Sequence, residues 1–144
     1  MKKVKSAEAG GQPALNRLLI VDDDKQYGEA IVAAAMKRGI DARLAFGRVD
    51  FEALYQSFEP NMLVLDLFLQ QEDCYPILAY LSVKRCTAPL FFLSGFNRHW
   101  LGAASELARS CGLLVADVFE KQRDGVSALM FKLESYKIRE PGIR

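Results

Sequence analysis

Acidic residues stand at the ends of two short apolar segments of this chain. Residues 18–21, Leu-Leu-Ile-Val, run into three aspartates at positions 22–24, and residues 62–65, Met-Leu-Val-Leu, run into Asp66. Continuous apolar runs of this length are typical of strands that are buried on both faces of a parallel sheet. Ligands of open parallel sheets bind beyond the carboxyl ends of such strands. The sequence therefore predicts several carboxylates at one edge of a parallel sheet.

This predicted cluster of carboxylates suits phosphoryl chemistry. Crowded carboxylates repel one another unless a cation lies among them, and hard oxygen ligands select Mg²⁺. Two further polar residues follow strand-like segments, because Ser94 closes the apolar run 90–93 and Lys121 follows the segment 113–120. In phosphoryl transfer a hydroxyl can donate to one phosphoryl oxygen, an ammonium can pair with another, and Mg²⁺ can neutralise a third. The remaining carboxylate is then free to act as the nucleophile.

Short strand-like runs alternate with longer helical patterns along the chain, which is the signature of a right-handed βαβ series. We predict strands over residues 17–22, 40–46, 62–67, 90–94 and 113–120. We predict helices over residues 25–38, 49–57, 75–85, 98–111 and 125–136. Gly39 ends the first helix, and Pro60 breaks the chain before the third strand.

Length and composition limit the class of protein. A chain of 144 residues is long enough for one domain with a proper core and too short for two. Its 51% hydrophobic residues, 26% charged residues and net charge of +1 are typical of a globular protein and not of a strongly basic nucleic-acid binder. No apolar stretch is long enough to span a membrane. We predict one domain over residues 17–136, a disordered N-terminal tail over 1–16 and a C-terminal tail over 137–144.

The cysteines and the amino terminus indicate a reducing compartment. Cys74, Cys86 and Cys111 form no close pair, and His99 is their only possible imidazole partner. Neither a zinc site nor a disulfide framework is therefore suggested. The basic residues at the amino terminus are not followed by the apolar segment that a signal peptide requires. We expect a cytoplasmic protein.

Taken together, the residues at the strand ends resemble the receiver domain of two-component response regulators over nearly the whole predicted domain. Asp22 and Asp23 match the family's acidic pair, Asp66 matches its phosphoacceptor, Ser94 its hydroxyl residue and Lys121 its lysine. The resemblance implies an α/β fold with a flavodoxin-like, doubly wound, five-stranded parallel sheet, a strand order of 2-1-3-4-5 and helices on both faces.

The resemblance also implies a metal site and a phosphoryl acceptor. Asp23, Asp66 and the backbone carbonyl of Phe68 would bind Mg²⁺ directly, and Asp22 would help through water. Asp66 would take its phosphoryl group from a histidine kinase or a histidine phosphotransfer protein. The protein would thus be a stand-alone receiver, a phosphorylation-controlled switch that catalyses only its own phosphorylation and dephosphorylation. Its signal would leave through an unknown downstream protein, a homodimer or onward transfer, with no role for nucleic acid or membrane.

Some positions depart from the family pattern. Gln70 and Gln122 stand where the family usually has proline, and the second of these prolines follows the lysine through a cis bond, which is costly without proline. Val118 replaces the aromatic switch residue usually found three positions before the lysine. These departures keep open a receiver-like module that acts without phosphorylation. A small Mg²⁺-dependent phosphatase of the haloacid dehalogenase type is another alternative, but it needs an aspartate as general acid where this chain has Phe68.

Two phenylalanines predict a long-lived phosphoryl group. In the family's geometry Phe68 and Phe96, each two residues beyond a site residue, would overhang the phosphoryl group. Their rings would exclude the in-line water that hydrolysis needs.

Overall fold

The structure is a computed structural model that describes residues 15–67, 69, 74–95 and 98–137. Most of the predicted tails, 1–16 and 137–144, lies outside these residues. Asn16 is described and buried, and its carbonyl accepts a hydrogen bond from the N–H of Asp41 at 2.9 Å. No helix of the described residues is long and apolar enough to cross a membrane.

Strands and helices alternate along the described residues, as the apolar periodicity predicts. The strands are β1 (Arg17–Val21), β2 (Asp41–Ala45), β3 (Met62–Asp66), β4 (Leu90–Ser94) and β5 (Val115–Glu120). The helices are α1 (Lys25–Met36), α2 (Arg48–Phe58), α3 (Tyr75–Val83), α4 (Arg98–Ser110) and α5 (Lys121–Tyr136). Every predicted element is present, with ends that differ by a few residues.

The largest difference lies at the start of the last helix. The prediction began this helix at Gly125, whereas α5 begins at Lys121. Gly125 has φ 74° and ψ 174°, so it separates a first turn, residues 121–124, from the rest of the helix. A positive φ of this size favours glycine, which explains why the residue looked like a helix boundary.

The five strands form one parallel sheet with the order β2-β1-β3-β4-β5. This arrangement confirms the flavodoxin-like, doubly wound fold that the resemblance to receiver domains implies. Val21 pairs with Leu65 in the β1–β3 register, and Asp66 pairs with Leu93 in the β3–β4 register. The carboxyl ends of β1, β3 and β4 therefore meet at one edge of the sheet.

Apolar side chains on both faces of the sheet explain the continuous apolar runs. Leu19 and Val21 face a cluster that also contains residues of α2, α3 and α4. Leu18 and Ile20 face a second cluster that contains residues of α1 and α5. Because successive side chains of a strand point to opposite faces, a strand covered on both sides must be apolar at every position.

Candidate functional site

The sheet register brings the aspartates of β1 and β3 together. Asp22 and Asp66 lie next to each other because each adjoins a paired position, Val21 or Leu65. Asp22, Asp23 and Asp66 each offer a carboxylate oxygen, and these three oxygens lie within 4.8 Å of one another. Asp22 is fully buried and Asp66 is only 4% exposed, whereas Asp23 is half-buried. The structure thus contains the carboxylate cluster that the sequence predicts.

Each of the three consecutive aspartates has a different local role. The backbone N–H of Asp22 donates to the carbonyl of Ala45 at 3.0 Å, and its Oδ1 accepts from the N–H of Asp24 at 2.9 Å. Asp24 is the N-cap of α1, and its Oδ1 accepts from the N–H of Tyr27 at 3.1 Å. An aspartate at this position satisfies a backbone donor that the helix leaves unpaired. Asp22 and Asp24 together therefore fix the turn that presents Asp23.

Lys121 links the two buried carboxylates. Its Nζ donates to Asp66 Oδ2 at 2.9 Å and to Asp22 Oδ1 at 3.1 Å. Asp22 Oδ2 also lies 2.9 Å from this nitrogen but outside hydrogen-bonding geometry. The lysine side chain is only 15% exposed. One ammonium therefore neutralises part of the charge of two aspartates that lie 99 and 55 residues away in the sequence.

The first turn of α5 positions Lys121. The peptide bond between Lys121 and Gln122 is trans. Asp124 Oδ2 accepts a hydrogen bond from the N–H of Glu120 at 2.8 Å, which closes the turn around the lysine. A trans bond and this short turn thus deliver the ammonium to the carboxylates without a proline after the lysine.

Burial and crowding change the acid–base properties of the site. Burial, with a smaller contribution from the charge of Asp66, raises the pKa of Asp22 from 3.8 to about 7, against the lowering effect of its bond to Lys121. Burial alone would lower the pKa of Lys121, but its hydrogen bonds to Asp22 and Asp66 raise it above its usual value. The lysine is therefore charged at neutral pH. A further cation would favour the ionised form of Asp22.

Ser94 contributes a buried hydroxyl at the same edge. It is the last residue of β4, is fully buried, and follows Leu93, which pairs with Asp66. Its Oγ has no hydrogen-bond partner among the described residues. A buried hydroxyl without a partner is costly, and a bound group with acceptor oxygens would remove that cost.

The structure thus brings together Asp22, Asp23, Asp66 and Lys121 and places Ser94 at the end of the neighbouring strand. The predicted ligand Phe68 lies outside the described residues, as do Gln70 and Phe96.

Sequence reasoning missed Tyr27, whose ring lies over the Lys121 ammonium with 4.8 Å between Nζ and the ring centroid. The available signal was its position in the first turn of α1, three residues after Asp24. An aromatic residue in that turn lies at the same edge of the sheet.

This chain resembles known proteins at the level of three-dimensional structure. No protein-family model and no curated protein matches it. Solved structures of other proteins, in contrast, match the chain over most of its length. A response regulator from Colwellia psychrerythraea is 28% identical, with a TM-score of 0.70, and the match covers 88% of this chain and 99% of that chain.

Two further solved structures share the fold at lower identity. The signal receiver domain of a response regulator from Bermanella marisrubri is 22% identical, with a TM-score of 0.69, and the match covers 86% of this chain and 98% of that chain. A response regulator protein from Burkholderia pseudomallei, solved with a phosphorylated aspartic acid, a calcium ion and citrate, is 19% identical with a TM-score of 0.68. That match covers 82% of this chain and 66% of the other. We therefore identify this chain as having the receiver-domain fold of response regulators.

Proposed function

We propose that the protein is a phosphorylation-controlled signalling switch that accepts a phosphoryl group on Asp66. The observation that carries this proposal is the position of Asp66, a nearly buried carboxylate at the carboxyl edge of the sheet with the Lys121 ammonium at 2.9 Å. Asp22 lies on one side of it and the end of β4, with Ser94, on the other. An acceptor carboxylate with a cation and a hydroxyl donor beside it suits phosphoryl transfer.

The donor in this proposal is the phosphohistidine of a histidine kinase or a histidine phosphotransfer protein. A carboxylate oxygen of Asp66 forms the new bond to phosphorus while the bond from phosphorus to the histidine nitrogen breaks. Lys121 pairs with one phosphoryl oxygen, and the Ser94 hydroxyl, which has no hydrogen-bond partner among the residues described, donates to another. Both groups stabilise charge on the phosphoryl oxygens.

Mg²⁺ fits the acidic side of the site. Asp22, Asp23 and Asp66 supply only oxygen ligands, which is the donor set that Mg²⁺ prefers. Asp22 Oδ2 is a buried acceptor without a hydrogen bond from the described residues, so it has capacity for a cation or its water. Bound Mg²⁺ would neutralise phosphoryl charge. The phosphorylated aspartic acid and calcium ion of the Burkholderia pseudomallei structure support a site of this kind.

Phosphorylation would act as a switch by changing the partners of Lys121 and Ser94. The lysine exchanges its bond to Asp66 Oδ2 for a bond to a phosphoryl oxygen, and the serine gains an acceptor. Since these residues lie at the ends of β4 and β5, their movement would alter the surface around these strands. We propose that this surface contacts a downstream protein or a second copy of the chain in the cytoplasm. The protein would be a switch and not a metabolic enzyme.

Phosphorylation of purified protein by acetyl phosphate and Mg²⁺ tests the proposal. We expect an acid-stable, base-labile acyl phosphate on the parent and none on Asp66→Asn. Asp41→Asn is the matched control, because Asp41 begins β2 at the opposite edge of the sheet, and it should be labelled like the parent. Equal labelling of Asp66→Asn and the parent would refute Asp66 as the acceptor. A parent that neither becomes labelled nor binds beryllofluoride with Mg²⁺ would favour a module that acts without phosphorylation.

A further inference from the structure

The ammonium of Lys121 has an aromatic neighbour in addition to its two carboxylates. The ring of Tyr27 lies with its centroid 4.8 Å from Nζ. A cation within about 6 Å of a ring centroid is attracted to the face of the ring. The ammonium thus contacts Asp22 and Asp66 as well as an aromatic face, and its side chain is 15% exposed.

Tyr27 is itself held in place by the start of α1. Its N–H donates to Asp24 Oδ1 at 3.1 Å, the bond that caps the helix. Its half-buried side chain packs against the apolar cluster formed by α1, α5 and one face of the sheet. Burial raises the pKa of the Tyr27 hydroxyl, so the ring stays neutral at physiological pH. The ring is therefore a fixed, uncharged surface beside the lysine.

The backbone at the start of α5 fixes where the Lys121 side chain begins but not where its ammonium lies. A trans bond and a short helical turn follow it, and the side chain reaches the carboxylates from the first residue of α5. A lysine side chain has a flexible four-carbon stem, and confining its ammonium costs conformational entropy. An aromatic face that attracts the ammonium limits the positions it can take.

We propose that Tyr27 is a positioning residue that holds the Lys121 ammonium at the Asp22–Asp66 pair through a cation–π contact. The contact has no fixed donor direction, unlike a hydrogen bond. The ammonium can therefore exchange Asp66 Oδ2 for a phosphoryl oxygen without leaving the ring. The role of Tyr27 during this exchange rests on the proposed phosphorylation of Asp66, whereas the cation–π contact itself does not.

A double-mutant cycle on the metal-free protein tests the contact. Tyr27→Leu removes the ring and keeps an apolar side chain, and Lys121→Met removes the ammonium and keeps most of the stem. We expect Tyr27→Leu to raise the unfolding constant by roughly two- to tenfold more in the parent than in Lys121→Met. In the background of Lys37→Met, which removes an exposed lysine, Tyr27→Leu should raise the unfolding constant as much as it does in the parent. Additive effects in the Tyr27–Lys121 cycle would overturn the proposal.

Conservative variants and a spectroscopic signal distinguish a cation–π contact of the Tyr27 ring from a general packing role of this side chain. Tyr27→Phe keeps the aromatic face and should behave like the parent. The ε-methylene protons of Lys121 should carry a ring-current shift in the NMR spectra of the parent and Tyr27→Phe and lose it in Tyr27→Leu. Tyr27→Met is a second ring-free variant, should the leucine disturb folding. A Tyr27→Phe protein that behaves like Tyr27→Leu would overturn the proposal.

Beryllofluoride and Mg²⁺ test the role in the phosphoryl site. We expect binding to weaken by roughly three- to tenfold in Tyr27→Leu and to be unchanged in Tyr27→Phe. Unchanged affinity in Tyr27→Leu would overturn this role of Tyr27. Absence of binding by the parent would instead refute the proposed function, and the unfolding cycle would still decide whether the ring holds the lysine.

Discussion

Removing the charge of Lys121 should destabilise the metal-free protein strongly at pH 8 and weakly at pH 5. In Lys121→Met the carboxylates of Asp22 and Asp66 lose the cation that lies 2.9 Å from an oxygen of each. Methionine has a similar length and no charge, so it retains much of the packing of the lysine stem. The variant therefore isolates the electrostatic role of the ammonium.

The size of the effect follows from the geometry of the carboxylates. Their nearest ligand oxygens lie within 4.8 Å. Two ionised carboxylates at that separation repel by about 3.5 kcal/mol at an effective dielectric constant of 20. Removing one partner of a buried ion pair costs about 3 to 5 kcal/mol in general, so we expect a loss of about 3 kcal/mol at pH 8.

The pH dependence comes from Asp22. Its pKa is raised to about 7 in the folded protein, and losing the bond to Lys121 would raise it further. At pH 5 the folded protein therefore keeps a proton on Asp22, and the repulsion between two ionised carboxylates disappears. We expect the loss at pH 5 to be about 1.5 kcal/mol, which is the lower end for a hydrogen bond to a charged group.

Urea denaturation followed by circular dichroism, at pH 5 and pH 8 with and without Mg²⁺, measures these differences. Mg²⁺ should restore most of the stability lost at pH 8, because it binds only the folded state and replaces the missing positive charge. Lys37→Met is the control for the change in net charge and should lose little at either pH. An equal loss for Lys121→Met at both pH values, or no recovery with Mg²⁺, would refute the reasoning.

Further predictions concern the carboxylates, a glycine and the phenylalanine beyond Asp66. Because the pKa of Asp22 is higher in the folded than in the unfolded protein, the metal-free parent should lose stability in urea as the pH rises from 5 to 8, and Asp22→Asn should remove most of this dependence. Asp23→Asn should weaken Mg²⁺ binding at least tenfold by calorimetry, about the effect of losing one charged ligand. Gly28→Ala should gain clearly less than the roughly 1 kcal/mol expected for a helical position in urea denaturation, because its Cβ would lie 2.6 Å from a methyl carbon of Leu44. Phe68→Asn should speed the loss of phosphate from the phosphorylated protein, since an amide can orient the water that a phenyl ring excludes.

Local sequence pattern determined the order and type of the secondary structure elements. Residues 18–21 and 62–65 are apolar at every position, and only a strand covered on both faces accommodates such a run. The alternation with helical patterns then leaves a parallel sheet as the arrangement that buries each run. The strand ends at Asp22 and Asp66 followed from the same pattern, so the acidic edge could be predicted before its geometry was known.

The tertiary structure alone decided how the side chains meet. Lys121 lies 99 residues from Asp22, and nothing in the local sequence shows that its ammonium would lie between that carboxylate and Asp66. The contact depends on the order of β1, β3 and β5 and on the turn that ends at Gly125, which local pattern marked only as a helix boundary. The approach of Tyr27 to Lys121 likewise depends on how α1 packs beside α5, because contacts between distant segments are set by the packing of whole elements.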